Sequence, residues 1–105
     1  MPATYDLQLV KKLIQEGRYT ITQTAANTAK QDFGLDAMQI VEKIKSLRSS
    51  EFYKTMPSEQ KPGMWQDVYR QRITLDKKQV YAYVKLQINQ FSNGQMAVII
   101  SYKYL

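Results

Sequence analysis

Apolar residues recur at two different periods along this chain, and the change from one to the other divides it. Leu9, Val10, Leu13 and Ile14 have helical spacing after Thr4, a candidate N-cap, with Lys11, Lys12, Gln15 and Glu16 on the other side and Gly17 where a helix ends. Tyr19 to Thr22 alternates like a short strand, and Thr22 or Thr24 caps an alanine-containing segment that ends near Gly34. Asp36 opens another helix with Gln39 as its capping-box partner; Met38, Val41 and Ile44, with Ile40 and Leu47 as further members, form its apolar stripe. Ser49 and Ser50 predict one more helical turn through Glu51 to Met56, which Pro57 terminates.

After Gly63 the period becomes two. Gln66, Val68, Arg70 and Arg72 share one face of the first strand, and Trp65, Asp67, Tyr69 and Ile73 the other, so Trp65 and Tyr69 are expected in the core. Asp76 to Lys78 makes a turn. Val80, Ala82, Val84, Leu86 and Ile88 then form a core face, opposite Tyr81, Tyr83, Lys85 and Gln87. Ser92, Asn93 and Gly94 signal a second hairpin turn. The last strand places Met96, Val98, Ile100 and Tyr102 on one face and Ile99, Ser101 and Lys103 on the other. Helices early and a three-strand meander late predict an α+β domain, an antiparallel sheet with helices packed on one face. The other face is left free for function.

Length and composition narrow the function. The 105 residues make one domain, 1–105, with one modest core. The net charge of +6 is uneven: residues 1–50 hold seven basic and five acidic side chains, residues 51–105 eight and four. That excess suits a polyanion, and an acidic protein partner fits it equally. There is no cysteine or histidine, hence no thiol nucleophile, no Cys- or His-based metal site and no imidazole base. The carboxylates are scattered without a paired acidic motif, so neither a metal nor another cofactor is expected. No stretch reads as a signal peptide or membrane span, which places the protein in the cytoplasm.

Glu51 to Arg72, EFYKTMPSEQKPGMWQDVYRQR, concentrates aromatic, basic and amide side chains. Cations bind phosphate, amides read base edges and rings stack on bases, which is the inventory of an RNA site. Strand parity brings Gln66, Arg70, Arg72, Tyr81, Tyr83, Lys85 and Lys103 to the open face, with Lys54 reaching over it. RNA carries its own nucleophile, so cleavage requires deprotonation of the 2′-OH, stabilisation of phosphorane-like charge and protonation of the leaving 5′-oxygen. Without histidine, acid and base roles fall to lysine, tyrosine or a carboxylate. Lys54 and Tyr83 are the candidates for proton transfer or for binding the reacting phosphate. Arg70 and Lys103 neutralise charge, Gln66 positions a base or phosphate oxygen, and Tyr53 faces outward beside Lys54.

EFYKTM and WQDVYR together resemble the central signature of the motility quorum-sensing regulator (MqsR-type) toxins, RelE-like endoribonucleases of bacterial toxin-antitoxin pairs. The likeness extends more thinly from LVKKLI to the final SYK. It implies a RelE-like toxin fold, an mRNA substrate and a cognate antitoxin protein; a monomer is expected when the chain is free, although the sequence does not fix the oligomeric state. It also implies functional roles for Lys54, Gln66, Arg70 and Lys103. The family's functional tyrosine aligns with Tyr83 through YVKLQI, or with Tyr81 through QVY. Gln71 stands where some relatives have proline, the Phe91–Gln95 connection is long, and a histidine that some relatives carry near that hairpin is missing. The alternative function is a noncatalytic RNA- or DNA-binding regulator using the same face.

Overall fold

The computed structural model describes residues 2–105. Helix α1 spans Leu7–Gln15, strand β1 Tyr19–Ile21, α2 Gln23–Phe33 and α3 Ala37–Lys45; a 3-10 turn, Ser49–Glu51, leads into β2 Phe52–Pro57, β3 Trp65–Leu75, β4 Lys78–Phe91 and β5 Gly94–Tyr104. The expected meander is the middle of a five-stranded sheet of order β1-β5-β4-β3-β2, antiparallel except where β1 runs parallel to β5. None of the described helices is long and apolar enough to cross a membrane.

Local chemistry accounts for most boundaries. Asp6, not Thr4, caps α1, its carboxylate accepting from the Gln8 N–H. Thr4 and Tyr5 instead donate their backbone N–H groups to Asp67 at 3.0 and 2.8 Å, so the chain start is tied to β3. Thr22 caps α2 and also donates its hydroxyl to the Ile100 carbonyl, locking the helix to β5. The Asp36–Gln39 capping box opens α3 as the sequence predicts.

Ile40, Val41, Ile44 and Leu47 are buried, but Met38 is 65% exposed. At roughly 100° per residue, Met38 lies about 130° from the centre of that stripe, on the solvent side. The helical turn expected over Glu51–Met56 is also corrected. Helical geometry stops at Glu51, and Phe52–Pro57 pairs with β3 as an edge strand. Glu51 completes the edge by accepting from the Arg72 N–H at 2.8 Å, immediately beyond the end of β2. A helix here would leave β3 backbone groups without partners.

Parity holds along β3 and β4 and fails once along β5. Lys85 pairs with Ser101 but Leu86 with Ile99, so Ile100 is an extra, bulged residue. Ile99 and Tyr102 therefore both enter the helix-side core, while Val98 lies opposite Gln87 on the other face. Trp65 has the expected parity but sits at the start of β3 against Pro57, outside the helix-side core, and is 42% exposed. Tyr69 is buried, edge-on to Phe52.

Both hairpins are tight. Asp76 and Lys77 take positive φ, the two-residue geometry that matches strand twist. Phe91 pairs with Gly94, leaving Ser92 and Asn93 as the turn, so the long connection lengthens the ladder rather than a loop. Gly94 holds a φ of 126°, which side-chain-bearing residues rarely adopt, and Arg18 crosses it to donate to the Asn93 and Gln95 carbonyls, so a Cβ there would also displace the guanidinium.

Candidate active site on the open sheet face

Three strands place Arg70, Tyr83 and Lys103 in one cross-strand row: Arg70 pairs with Tyr83, and Tyr83 with Lys103. The next row holds Lys54, Val68, Lys85 and Ser101. Residues more than thirty positions apart thus share one side of the sheet because of pairing register alone.

A second bulge shapes the β2 side. Phe52 pairs with Tyr69 and Lys54 with Val68, so Tyr53 is extra. Phe52 turns to the core while Tyr53 and Lys54 both stand exposed. The Arg70 guanidinium lies 3.5 Å above the centre of the Tyr53 ring, and the Lys54 ammonium is 5.4 Å from the same centre. On the other side, the Lys103 and Lys85 ammonium groups lie 5.2 and 5.8 Å from the Tyr83 ring centre. Two phenol rings are therefore interleaved with four cations.

None of these cations has a carboxylate partner. Among the described residues the one ion pair is Lys45–Glu42 at 3.6 Å, on α3. Unneutralised charges held on paired strands make a preorganised anion site. The described residues contain no group of three or more carboxylates close enough to hold a metal ion.

Gln66 lies on the same face four residues along β3 from Arg70, about 14 Å away. It is 7% exposed, and its amide donates to Gln87, which in turn donates to Asn89, at 2.9 and 2.7 Å. The amide relay fixes Gln66 at the wall of a groove of about 340 Å³ shared with Lys61, Lys85 and Ser101. Tyr81 pairs with Arg72 toward the Asp76–Lys77 turn and is also exposed, so the row Arg70–Tyr83–Lys103 contains Tyr83 and not Tyr81.

Tyr69 and Tyr102, buried in the core on the helix side, are unsuited to proton transfer. Burial raises Tyr69 to about 12, with the Asp67 and Asp6 charges adding to it, and burial pushes Tyr102 higher still. Tyr102 donates at 2.8 Å to Gln71, whose amide donates in turn to the Lys43 carbonyl at the end of α3. Gln71, a polar residue on the core face, is thereby a strut between sheet and helix. One contributor was not singled out from sequence: Gln87, whose parity marks it as open-face.

The family described as motility quorum-sensing regulator, toxin of MqsA, matches residues 2–104. The chain belongs to that family. One relative, the mRNA interferase toxin MqsR of Escherichia coli (strain K12), is 39% identical over 82 residues, covering 78% of this chain and 79% of the relative. Membership in the motility quorum-sensing regulator family agrees with the α+β fold and with the cationic open face reached above.

Proposed function

We propose that this protein cleaves mRNA through the substrate's own 2′-OH, without a metal, as the endoribonuclease toxin of a toxin-antitoxin pair. The observation that carries the reading is the unpaired cationic row Arg70–Tyr83–Lys103 with Lys54 and Tyr53 beside it. A phosphodiester drawn onto this face meets three cations, and Tyr83 lies between two of them. Arg70 and Lys103 neutralise the charge that grows on the phosphate oxygens in the transition state. Lys54 and Tyr83 flank the reacting phosphate and exchange protons with the 2′-OH and the leaving 5′-oxygen. Gln66 holds a base or phosphate oxygen farther along the strand, oriented by Gln87. Tyr53 and Tyr81 offer exposed rings to neighbouring bases.

The antitoxin that the family implies need only cover this face or compete for its charge to silence the enzyme.

The test is incubation of antitoxin-free protein with a long mRNA in EDTA, beside Lys54→Ala, with mapping of fragment ends. Discrete cuts with 5′-hydroxyl ends, lost in the variant, are expected. A Lys54→Ala protein that cuts at the parent rate refutes the assignment of Lys54; intact RNA with the parent, free and with translating ribosomes, refutes the catalytic reading.

A further inference from the structure

A groove of about 760 Å³ lies beside the reactive row, toward the Asp76–Lys77 turn, and the chemistry proposed above makes no use of most of it. Arg48, Arg70 and Arg72 line it together with Tyr53 and Tyr81. Glu51 is the one carboxylate on its wall, and its oxygens accept from the Arg48 and Arg72 backbone N–H groups at 2.9 and 2.8 Å. That carboxylate forms no ion pair with any of the three guanidinium groups. Arg72 is steadied by donating Nε to the Gln79 side chain, which also lines the groove.

The rings add a second kind of recognition. Tyr81, 47% exposed, is the cross-strand partner of Arg72, and Tyr53 is stacked with Arg70. An acidic side chain would satisfy the arginines and leave the rings unused, whereas a nucleotide engages both, its phosphate on guanidinium and its base on a phenol. The volume is ample for one nucleotide. Arg70 and Arg72 are two residues apart on β3, about 7 Å, so a strand with its reacting phosphate at Arg70 delivers its next phosphate, with the nucleotide that carries it, here.

We propose that this groove is the subsite for the nucleotide one beyond the pair joined by the cleaved bond, with its phosphate held by Arg48 and Arg72 and its base stacked on Tyr81. The inference rests on the ribonuclease reading, and its test separates the two. An oligoribonucleotide with one nucleotide on each side of a mapped cut is compared with versions extended by two nucleotides on the 5′ or the 3′ side, using the parent and Arg48→Gln. Extension on one side is expected to raise kcat/KM about tenfold in the parent, chiefly through KM. Arg48→Gln should cut the minimal substrate at the parent rate and lose most of that gain. Equal cleavage of all lengths by the parent, or an undiminished gain in Arg48→Gln, overturns the subsite.

All-deoxy versions of the same oligonucleotides, which lack the attacking hydroxyl, give the binding counterpart. The parent should bind the extended form about tenfold tighter than the minimal one, and Arg48→Gln should not. If the same length effect is found with deoxy-oligonucleotides of arbitrary sequence while RNA stays uncut, the ribonuclease reading falls and the groove stands as a nucleotide-binding site. If Arg48→Gln weakens only the complex with the antitoxin, the groove serves a protein and the subsite is wrong.

Discussion

Replacing Arg70 separates its charge from its shape. Its guanidinium is stacked 3.5 Å over Tyr53, has no carboxylate partner and shares a row with Tyr83. A unit charge about 4 Å from a phosphate charge, at the effective dielectric of about 20 found near protein surfaces, contributes roughly 4 kcal/mol. Only the part of that interaction that strengthens in the transition state accelerates the reaction. Loss of one preorganised donor at such a site typically costs about 10²–10³ in rate, so Arg70→Gln should fall by that factor in kcat/KM. Arg70→Lys keeps the charge but gives up the planar stack, worth about 0.5–1 kcal/mol at an exposed ring, and the two-pronged contact with phosphate. It should fall by only about three- to tenfold. Tyr53→Leu should cost a similar few-fold, and Arg70→Lys combined with Tyr53→Leu should cost little more than either alone, because both remove one stack. Single-turnover cleavage of a short fluorogenic RNA gives the rates, and thermal melts check that the exposed Arg70 contributes little to stability. Arg70→Gln within threefold of the parent would refute the electrostatic role. Arg70→Lys as poor as Arg70→Gln would show that guanidinium geometry, rather than charge, is what the site uses.

Two further predictions concern stability. Tyr69 and Tyr102 both titrate higher in the fold than the unfolded value of about 10, so below pH 10 their contribution is complete; above it the unfolded chain releases protons that the native state retains. Stability should fall by up to about 2.7 kcal/mol per pH unit between pH 10 and 12, lowering Tm by roughly 10 °C or more per unit; Tyr102→Phe should halve the slope, and a flat Tm through pH 11.5 refutes it. Asp67→Ala leaves the Thr4 and Tyr5 N–H groups without their buried acceptor and should cost about 2 kcal/mol, or roughly 8–16 °C in Tm, with faster hydrogen exchange at Tyr5; an unchanged Tm would mean the N-terminal tie contributes nothing.

The sequence made the helices and the central meander legible because each depends on local signals: the Asp36–Gln39 box, Thr22 and Gly34 around α2, and the two-residue turns. It also made the cationic row legible, since Arg70, Tyr83 and Lys103 follow from the parity of individual strands. What was missed depends on partners distant in the chain. Asp67 is needed to see why Thr4 is not a cap, and β3 to see why Phe52–Pro57 is extended. Met38 was placed in the core by residue type although its angle on the helix puts it outside. The groove residue Arg48 was invisible because an exposed arginine on a turn carries no pattern; only its position relative to Arg72 and Tyr81 gives it meaning.

Both bulges lie where the site is built. An unbulged β2 would alternate Phe52, Tyr53 and Lys54 across the sheet, so Tyr53 and Lys54 would point to opposite faces. The extra residue lets Tyr53 stack on Arg70 while Lys54 remains beside the Tyr83 row, both exposed. In β5, the extra Ile100 lets Ile99 and Tyr102 both serve the core and still leaves Lys103 opposite Tyr83. Without it, Ile99 and Lys103 would share a face, and either the core would lose a fully buried isoleucine or the site would lose a cation. Each bulge gives up one regular pairing position at a place where the chain must meet two demands at once, a sealed core on the helix side and a dense, unpaired set of cations on the other. Strict alternation cannot supply both from these residues, and it is the two irregularities in the sheet that put the buried side chains on one face and the cations on the other.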